Sequence, residues 1–442
     1  MSCMAIDTWE QSRPALGGGF EADAADLSAF LLRGADLVGQ LPERPRRSER
    51  EQATVTAVMA ELDRARDEFL ARHTLALYAD LTGDGTRALR ADELVYAAAD
   101  RVPGLTPRLV VVENERTRLQ KDKDGWEIAQ GRLLGHVLAH PETGRHLIDA
   151  MLRPTPLALE RLDELTRSGR VDLGRATVER RGRVGIVELH NPRHLNAEDD
   201  TTTGPLEAAI DLVLLDPGIE VGVLRGGVVE HPRYAGRRIF GAGLNLTHLY
   251  RGQISYLFFP VRDLGLVHKV FRGLTDPERA PEDTVEKLWI AVAETYAIGG
   301  ACQLLLTVDH ILAEPGCRCT LPARNEGIIP GAANLRLPRF VGDRVARQAI
   351  LSGRELKPGE LADELVAPEQ MDEAIERRAA DLLTSGAVSG VANRRVLRIA
   401  QEPQETFRAY MATYAREQAV CHFSPALIRN LEENWRAHER RD

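Results

Sequence analysis

Cysteine is scarce in this sequence, and long apolar runs are absent. Five cysteines are spread over 442 positions: Cys3, Cys302, Cys317, Cys319 and Cys421. An odd, sparse set of this kind does not form a disulfide framework. No apolar stretch approaches the ~18 residues that a membrane helix needs, and the opening residues lack the basic start and apolar centre of a signal peptide. We therefore expect a soluble, cytoplasmic protein with free thiols and no membrane partner.

An excess of basic charge is also absent. The formal net charge is −9, whereas nucleic-acid-binding surfaces are usually basic, so we expect no nucleic-acid partner. Charged residues make up 28% and hydrophobic residues 43% of the chain, which is an ordinary globular composition. A length of 442 residues is long for one domain and suggests more than one.

Recognisable metal and cofactor motifs are missing as well. The stretch DLTGDGTRALRADE, from Asp80, resembles a calcium loop, but Ala91 occupies the twelfth position, which needs a bidentate glutamate. We interpret this stretch as a turn followed by a helix N-terminus. The GAGLN stretch lacks the spacing of a dinucleotide fingerprint, and the sequence has no Walker loop and no G-x-S-x-G elbow. The sequence thus predicts no metal and no bound cofactor.

The C-R-C stretch at Cys317 and Cys319 is the remaining metal candidate. It has neither a second cysteine pair nor a histidine cluster, so it does not match the usual zinc patterns. We expect the two sulfurs to point to opposite faces of a strand and to have a structural role.

Helical periodicity dominates the first third of the chain. Apolar residues recur at three- and four-residue steps over 27–41 and again over 55–70, separated by the proline-broken connector LPERPRRSERE. Further helical runs cover about 127–139 and 155–167. Near residue 176 the pattern changes to alternating and then continuous apolar residues, which indicates strands.

Strands and helices alternate from there. We predict a strand pair from residue 176, strands at VGVLRGG, LWIAVAET and HILAEP, a short helix at QLLLTVD and a helix at MDEAIERRAADLL. This alternation favours an α/β fold with largely parallel strands. The predicted units are a helical N-terminal domain over 1–175, an α/β core over 176–380 and a helical C-terminal extension over 381–442.

Two glycine-bearing turns carry the strongest chemical signal. They are RRIFGAGLNL, residues 237–246, and YAIGGACQ, residues 296–303. Glycine lets the backbone approach a ligand closely, and two backbone N–H groups that converge on one oxygen form an oxyanion hole. Such a pair polarises a thioester carbonyl and stabilises the enolate left when the α-proton departs. Either stretch alone is more simply explained as a tight turn.

Together, in this order, the two turns resemble those of the crotonase (enoyl-CoA hydratase/isomerase) superfamily. The stretches HNPRHLNAEDD, LPARNEGIIPGAANLRLPRFVG and LSGRELKPGELADELV agree with it, so the resemblance covers roughly 178–380. It implies a crotonase-like spiral of ββα units, an acyl-CoA ligand and a homo-oligomer, either a trimer or a dimer of trimers. It also implies that the N–H groups of Leu244 and Gly300 are the oxyanion-hole donors. The implied substrate contacts in the two turns are Phe240, Gly241, Ala242, Gly243, Leu244, Ile298, Gly299 and Gly300.

The sequence departs from hydratases of this superfamily at both acid/base positions. The glutamate that follows the second turn is replaced by Gln303, and the glutamate of the later loop by Ala323. Glutamine does not exchange a proton near neutral pH, and alanine has no group that does. Hydration of an enoyl-CoA needs both groups, so we expect no ordinary hydratase activity.

One branch of the superfamily combines these departures with a long helical N-terminal region. It comprises the dioxygenases that oxidise (3,5-dihydroxyphenyl)acetyl-CoA in glycopeptide-antibiotic biosynthesis. The chain is similar to that branch in PRHLNAED, in the AGxNL turn, in GGACQ, in ISYLFFPVRDLGLVHKVFRG at 254–273, and in KDKDGWEIAQG and AHPETGRHLIDAML. The resemblance implies that the thioester and O2 are converted to 3,5-dihydroxyphenylglyoxylate and free CoA, without metal or flavin.

By this resemblance Glu198, Arg262 and Gln303 line the end of the site that holds the substrate's ring. A fixed arginine charge stabilises phenol or phenolate oxygens, and the other two side chains accept or donate hydrogen bonds. A surface ion pair between Arg262 and Asp263, and a helix-start charge at Glu198, are the alternative interpretations. The general base stays open between Glu198, a substrate phenolate and a bound O2 species.

Two other functions fit parts of the pattern. A crotonase-type isomerase or thioesterase would keep the oxyanion hole and use a carboxylate elsewhere, at Glu326 or Glu198. A non-catalytic CoA-ester-binding scaffold would explain the missing acids, but the two intact turns argue against it. Oxygen consumption separates the dioxygenase from both.

Three expectations concern the surroundings of the site. Leu257, Phe258 and Phe259 are candidates for the walls of an apolar O2 pocket, although core packing explains them equally well. The helical N-terminal region is expected to cap the acyl pocket or to pack between trimers. The C-terminal helices around 417–435 are expected to cover the site of a neighbouring subunit.

Overall fold

Eight helices fill the first part of the chain in the computed structural model, which describes residues 3–276, 278, 283–384 and 387–436. The predicted helices at 27–41, 55–70, 127–139 and 155–167 are confirmed as the second, third, sixth and eighth of them. The third is longer than predicted because Ser48 and Glu51 form a capping box: the Glu51 N–H donates to Ser48 Oγ at 3.3 Å, and the Ser48 N–H donates to Glu51 Oε2 at 2.8 Å. The eight are α1 (Cys3–Gln11), α2 (Phe20–Gly39), α3 (Glu49–Thr82), α4 (Ala91–Arg101), α5 (Leu109–Arg116), α6 (Ile128–Ala139), α7 (Pro141–Met151) and α8 (Pro156–Ser168).

The calcium-like stretch is a turn and a helix start, as predicted. Helix α3 ends at Thr82, and Gly83 follows it in the left-handed region with φ 58°, a common helix ending. The Asp80 carboxylate is engaged by Arg101, whose Nε donates to Asp80 Oδ2 at 2.6 Å. Glu93 accepts from the backbone N–H of Arg90 at 2.8 Å and so caps α4.

Nine strands in the described residues form two sheets. In the main sheet, of order β1-β2-β3-β4-β5-β7-β9, the first three strands pair antiparallel and all later neighbours pair parallel. The strand pair predicted from residue 176 is the β2–β3 hairpin. Every residue of β5 is buried, as expected for a central parallel strand covered on both faces. The strands are β1 (Arg170–Asp172), β2 (Ala176–Arg181), β3 (Val184–Leu189), β4 (Val221–Gly226), β5 (Leu288–Ala293), β6 (Tyr296–Ile298), β7 (His310–Ala313), β8 (Arg318–Thr320) and β9 (Glu364–Leu365).

A second, shorter layer gives the chain its spiral. Strands β6 and β8 pair parallel, and single-residue bridges extend this layer on both sides, joining Gly241 to Ala297 and Cys319 to Leu356. A further parallel bridge joins Glu198 to Leu244. A main-sheet strand, a short inner strand and a helix therefore recur along the chain, as in β5–β6 and β7–β8. The predicted crotonase-like arrangement of ββα units is confirmed, together with the helical regions before and after it.

Twelve more helices complete the described chain, and none of the described helices is long and apolar enough to cross a membrane. Two π-helical turns, Arg262–Val267 and Asn430–Asn434, directly follow short α-helices. The predicted helix at QLLLTVD is observed a few residues earlier, as α13. The twelve are α9 (Thr203–Leu215), α10 (Leu246–Tyr250), α11 (Phe258–Val261), α12 (His268–Arg272), α13 (Gly300–Leu305), α14 (Ala323–Glu326), α15 (Ala333–Ser352), α16 (Pro358–Leu361), α17 (Met371–Thr384), α18 (Ala387–Gln401), α19 (Gln404–His422) and α20 (Pro425–Arg429).

The N-terminal helices share one apolar core with segment 246–264 and with helix α19. Helices α6 and α19 approach closely because α6 carries glycines at the contact. A Cβ atom at Gly131 would lie 2.5 Å from the Ala419 Cβ, and one at Gly135 would lie 2.4 Å from Arg416. The division into units 1–175, 176–380 and 381–442 stays a prediction, but the packing joins the first of these units to the last.

The expectation for the C-R-C stretch is wrong in one respect. Cys317 Sγ and Cys319 Sγ lie 3.9 Å apart, and both residues are buried. Residues two apart along a strand point to the same face, since the side-chain period of a strand is two. Burial raises the pKa of the neighbouring Cys302 thiol well above its ordinary value, which fits an unreactive, structural cluster.

Candidate active site

The first glycine turn is held from both sides so that one N–H group stays available. The Glu198 N–H donates to Gly243 O at 2.7 Å, and the Asn245 N–H donates to Glu198 O at 2.8 Å. Gly243 has φ 81°, and a Cβ there would lie 2.9 Å from Ile298 O, so the position requires glycine. The N–H of Leu244, between these anchors, donates no hydrogen bond to any described group.

The second turn lies against the first. Gly299 adopts φ 53° and ψ −114°, its N–H donates to Thr320 O at 2.8 Å, and a Cβ there would lie 3.5 Å from the Gly243 Cα. Gly300 is the first residue of α13, where an N–H has no acceptor within its own helix. Within the described chain this N–H likewise makes no hydrogen bond. The two predicted oxyanion-hole donors therefore belong to adjoining turns.

Arg262 links the remaining predicted residues. Its guanidinium donates twice to the Glu198 carboxylate, through Nε to Oε2 and through Nη2 to Oε1 at 2.9 Å. Its Nη1 donates to Gln303 Oε1 at 2.9 Å, and its Nη2 also donates to Gly300 O at 2.8 Å. Arg262 and Glu198 are each 3% exposed. Burial opposes the charge of Arg262, but the neighbouring Glu198 carboxylate outweighs it and raises the pKa of the guanidinium.

Asp263 and Tyr414 extend this cluster. Asp263 Oδ1 accepts from Arg262 Nη1 at 3.3 Å, and its carboxyl hydrogen-bonds to the Tyr414 hydroxyl. Burial raises the pKa of Asp263, although Arg262 acts in the opposite direction, and burial with the nearby carboxylate raises the pKa of Tyr414 well above its ordinary value. Both Arg262 and Asp263 lie in the first π-helical turn, a distortion often found at functional sites.

These groups enclose a small space, which we call the inner cavity. Its free volume is about 30 Å³, room for only one or two water-sized molecules. We call its polar lining side chains Glu198, Arg262, Asp263, Gln303 and Tyr414 the floor, and its apolar lining side chains Phe258, Phe259, Ile328, Ile329 and Pro330 the roof. The lining residues are Glu198, Leu244, Phe258, Phe259, Arg262, Asp263, Gly299, Gly300, Gln303, Ala323, Glu326, Ile328, Ile329, Pro330, Gly331 and Tyr414.

A larger, open space adjoins it, which we call the outer groove. Its free volume is about 560 Å³, within the usual range of ligand sites. Leu244 and Glu326 line both the inner cavity and the outer groove, so the two spaces meet at these residues. The other lining residues of the groove are Leu195, Tyr234, Ala242, Leu246, Tyr296, Ile298, Arg318, Thr320, Pro322, Asn325, Gly353, Glu355, Asn430, Asn434 and Trp435.

Comparison with known proteins agrees with this geometry. The sequence pattern of the family described as Enoyl-CoA hydratase/isomerase matches residues 179–411. The chain belongs to this family. It is also 45% identical over 404 residues to the (3,5-dihydroxyphenyl)acetyl-CoA 1,2-dioxygenase of Amycolatopsis orientalis, an alignment that covers 90% of this chain and 92% of that protein.

Other similar proteins align with only half of the chain or slightly more. The short-chain-enoyl-CoA hydratase of Clostridium acetobutylicum is 25% identical over 226 residues, which is 50% of this chain and 79% of that protein. The crystal structure of an enoyl-CoA hydratase from Mycobacterium avium subsp. paratuberculosis K-10 aligns with 59% of this chain and 99% of its own, with a TM-score of 0.49 and 18% identity.

Most of the predicted site residues of the two turns line one or both of the two spaces. Leu244, Gly299, Gly300 and Gln303 line the inner cavity, and Ala242, Leu244 and Ile298 line the outer groove. Gly243 adjoins both turns. The backbone of Gly241 is used within the second layer, since its N–H donates to Tyr296 O at 3.0 Å.

Two of the predicted residues lie outside the site. Phe240 and Leu257 are buried in the apolar cores and line neither the inner cavity nor the outer groove. Phe258 and Phe259 do form part of the cavity roof. The surface ion pair weighed for Arg262 is wrong, because both Arg262 and Asp263 are buried. The helix-start alternative for Glu198 does not describe its carboxylate, which bonds Arg262.

The C-terminal region lines the site of its own chain, and its covering of a neighbouring subunit's site stays a prediction. Tyr414 of α19 lines the inner cavity, and Trp435 lines the outer groove. Gln418 Oε1 accepts from the Ile329 N–H at 2.8 Å and so anchors the loop that forms part of the roof. No local sequence signal predicts these contacts, because they depend on the packing of α19 against α6.

The N-terminal helices do not line either space within the described chain, so they cap the site only indirectly. Glu127 Oε2 accepts from the Tyr256 N–H at 2.6 Å, and Tyr256 Oη donates to Ala415 O at 2.8 Å. These helices thus support the segment that carries the cavity roof. Among the described residues no three His, Cys, Asp or Glu side chains are grouped to hold a metal ion.

Proposed function

We propose that this protein is a dioxygenase that converts (3,5-dihydroxyphenyl)acetyl-CoA and O2 to 3,5-dihydroxyphenylglyoxylate and CoA, without a metal or flavin. The observation that carries the proposal is the combination of two intact oxyanion turns with the Arg262, Glu198 and Gln303 cluster. Within this cluster, Gln303 occupies a position at which the family's hydratases carry an acid/base glutamate. The relative named for this activity, 45% identical over 90% of the chain, supports the same assignment.

The two spaces suggest how such a substrate binds. The CoA part lies in the outer groove, the thioester oxygen accepts from the N–H groups of Leu244 and Gly300, and the ring points toward Arg262. The ring hydroxyls form hydrogen bonds with Arg262, Glu198 and Gln303 that replace those that Arg262 makes with the other two in the free protein. The inner cavity, with about 30 Å³ free, must widen to admit an aromatic ring.

The proposed reaction balances without an added reductant. Removal of one α-proton gives a carbanion that is delocalised into the ring and the thioester, and this electron-rich species donates electrons to O2. The resulting α-peroxide attacks the thioester carbonyl and expels CoA thiolate, which takes up one proton. Loss of the second α-proton with cleavage of the O–O bond gives the keto acid. Both oxygen atoms of O2 remain in the product, and the small volume of the cavity leaves little room for the water that would hydrolyse the thioester.

The decisive test follows O2 uptake and CoA release in parallel, with chelator-treated protein and (3,5-dihydroxyphenyl)acetyl-CoA. We expect one O2 consumed for each CoA released and a glyoxylate product labelled twice from 18O2. CoA release without O2 uptake would instead identify a thioesterase. Tight binding without turnover in air would identify a scaffold.

A crotonase-type isomerase or thioesterase is the second candidate function. It is favoured by one observation, the carboxyl group of Glu326 at the meeting point of the two spaces. Such an enzyme would act on the thioester equally well under argon and in air. The dioxygenase requires air, so a single comparison of turnover under the two atmospheres separates them.

The biological setting forms part of the same proposal. We place the reaction in the cytoplasm and in the synthesis of dihydroxyphenylglycine for vancomycin-type glycopeptide antibiotics, and we expect trimers or dimers of trimers. Exposed apolar residues on α18, such as Val388 and Val396, which are 86% and 67% exposed, support an association surface. Light scattering on the purified protein measures the assembly, and loss of the antibiotic in a deletion strain, restored by the glyoxylate, tests the pathway.

A further inference from the structure

Of the acidic side chains that the structure describes, Glu326 alone lines both the inner cavity and the outer groove. A substrate whose ring lies in the cavity and whose CoA lies in the groove must pass its thioester through the place where the two spaces meet. Leu244, which also lines both, holds one predicted oxyanion donor at that place. The α-carbon is one bond from the carbonyl carbon, so Glu326 is placed beside the C–H bonds that must break.

The surroundings leave the Glu326 carboxyl uncommitted. Among the described residues it has no hydrogen bond and no ion pair, whereas Arg324 on its own helix and Glu433 nearby are exposed. The other titratable groups around it are paired with one another: Glu198 with Arg262, Asp263 with Tyr414, Tyr234 with Tyr296, Glu355 with Arg318, Glu432 with Lys121 and Arg336 with Glu402.

Glu198, the other candidate base, is placed for a different task. Both of its carboxylate oxygens accept from Arg262, and the pair is almost fully buried. A proton taken up there would break a buried ion pair, which is costly. Its position in the cavity floor, beside Gln303, suits contact with ring hydroxyls.

On the basis of the proposed function, we infer that Glu326 is the proton acceptor that removes the α-protons of the arylacetyl thioester. It takes the first α-proton as the carbanion forms. It returns that proton to the CoA thiolate expelled when the peroxide attacks the carbonyl, because the sulfur lies on the groove side of the same junction. Ionised again, it takes the second α-proton as the O–O bond breaks.

The position of Glu326 also accounts for the alanine that replaces the later hydratase acid. Ala323 and Glu326 are the first and last residues of the one-turn helix α14, and both line the inner cavity. The Glu326 carboxyl thus lies one helical turn from the position of the later hydratase acid, at the junction with the groove. Burial raises the pKa of Glu326 to about 7, which suits a group that accepts and returns a proton near neutral pH.

Exchange of the α-protons for deuterium under argon isolates this step, because without O2 the carbanion can only be reprotonated. The wild-type protein is incubated in D2O with (3,5-dihydroxyphenyl)acetyl-CoA, and label is read by mass spectrometry. We expect Glu326→Gln to slow exchange at least ~100-fold, with the dissociation constant of CoA changed less than ~3-fold. Glu326→Asp is expected to retain an intermediate rate, and the exposed-site control Glu113→Gln the full rate.

The pH profile gives a second readout that a merely structural role would not move. Wild-type exchange should rise with pH to a plateau, with an apparent pKa near the value of about 7 for Glu326, and this rise should be lost in Glu326→Gln. Exchange by Glu326→Gln within ~3-fold of wild type would overturn the inference, as would a wild-type protein that exchanges nothing. Wild-type exchange without O2 uptake in air would instead sink the dioxygenase and leave Glu326 as the base.

Discussion

The inner cavity and the outer groove meet at Leu244 and Glu326, yet they are built in opposite ways. The cavity has about 30 Å³ free, and several of its polar side chains bond one another, whereas the groove has about 560 Å³ free. The groove is therefore already shaped for a ligand, whereas the cavity must exchange internal hydrogen bonds for substrate ones. In such a site, affinity for the carrier and recognition of the reacting group are separate properties.

Arg262→Ala tests this difference between cavity and groove with the largest expected effect. Removing the guanidinium leaves Glu198 buried without its partner, so we expect the free energy of unfolding to fall by about 3–5 kcal/mol. We expect kcat/KM for the arylacetyl thioester to fall about 10³-fold, equivalent to ~4 kcal/mol, while CoA alone binds as before. Thermal unfolding, steady-state kinetics and calorimetry with CoA measure the three quantities.

The double variant Glu198→Gln/Arg262→Met is the control for this change. It leaves no unpaired buried charge, so stability should largely recover while activity should not. If the single variant weakened CoA binding as much as it lowered kcat/KM, the cavity and groove would not be separable.

Gly300→Ala tests the oxyanion turn, with the next largest effect. A Cβ there would lie 2.7 Å from Glu198 Oε1 and 2.9 Å from Arg262 Nη2, so the turn and the ion pair cannot both keep their places. We expect kcat to fall about 10²-fold or more. In the matched control Gly204→Ala the new Cβ meets nothing within 4 Å, and kcat should be unchanged. A Gly300→Ala protein with normal kcat would contradict the assignment of this turn.

Glu326→Gln tests the residue shared by the two spaces through the pH dependence of the free energy of unfolding. The folded protein favours the protonated carboxyl, with a pKa of about 7 against an ordinary 4.5, so wild-type stability from this group is full below pH 4.5 and declines as pH rises to 7. The glutamine variant lacks that decline. At pH 8 it should be more stable than wild type by roughly 2–3 kcal/mol, and at pH 4 the two should be similar. Urea unfolding at both pH values measures this, and equal stability at pH 8 would contradict a half-buried carboxyl without a partner.

Trp435→Ala has the smallest expected effect and acts on the groove alone. Loss of this aromatic wall should raise the dissociation constant of CoA about 3–10-fold, for roughly 1 kcal/mol of lost contact. The α-proton exchange rate at saturating substrate should stay within twofold of wild type. This pattern is the reverse of the one expected for Arg262→Ala. A fall in the exchange rate with unchanged CoA affinity would contradict the assignment of Trp435 to the outer groove alone.

The glycine turns could be predicted because glycine is a local signal that is tied to backbone shape. Gly243 and Gly299 both have positive φ values, and the two turns that contain them lie against each other. The alternation of strand and helix likewise predicted the parallel sheet. The pairing of Glu198, Arg262 and Gln303 came from the family resemblance, since these residues are far apart in the chain.

The parts that could not be predicted depend on long-range packing. Tyr414 reaches the inner cavity only because α6 carries Gly131 and Gly135, against which α19 packs. The clustering of Cys317 and Cys319 could have been predicted, since residues two apart in a strand share a face. The expectation was wrong because it placed the two side chains on opposite faces. The sequence offers both Glu326 and Glu198 as candidate catalytic carboxylates. The position of Glu326 between the two spaces, which only the structure shows, distinguishes it from Glu198.

The shared core of the N-terminal helices and α19 also has a consequence in time. Helices α2, α3 and α6 are synthesised first, but part of their apolar surface is buried by residues of 404–431. Part of the apolar surface of these first helices therefore stays exposed to solvent until nearly the whole chain has left the ribosome. Completion of that core is also what delivers Tyr414 to the cavity wall, so the arylacetyl site is among the last features of the molecule to form.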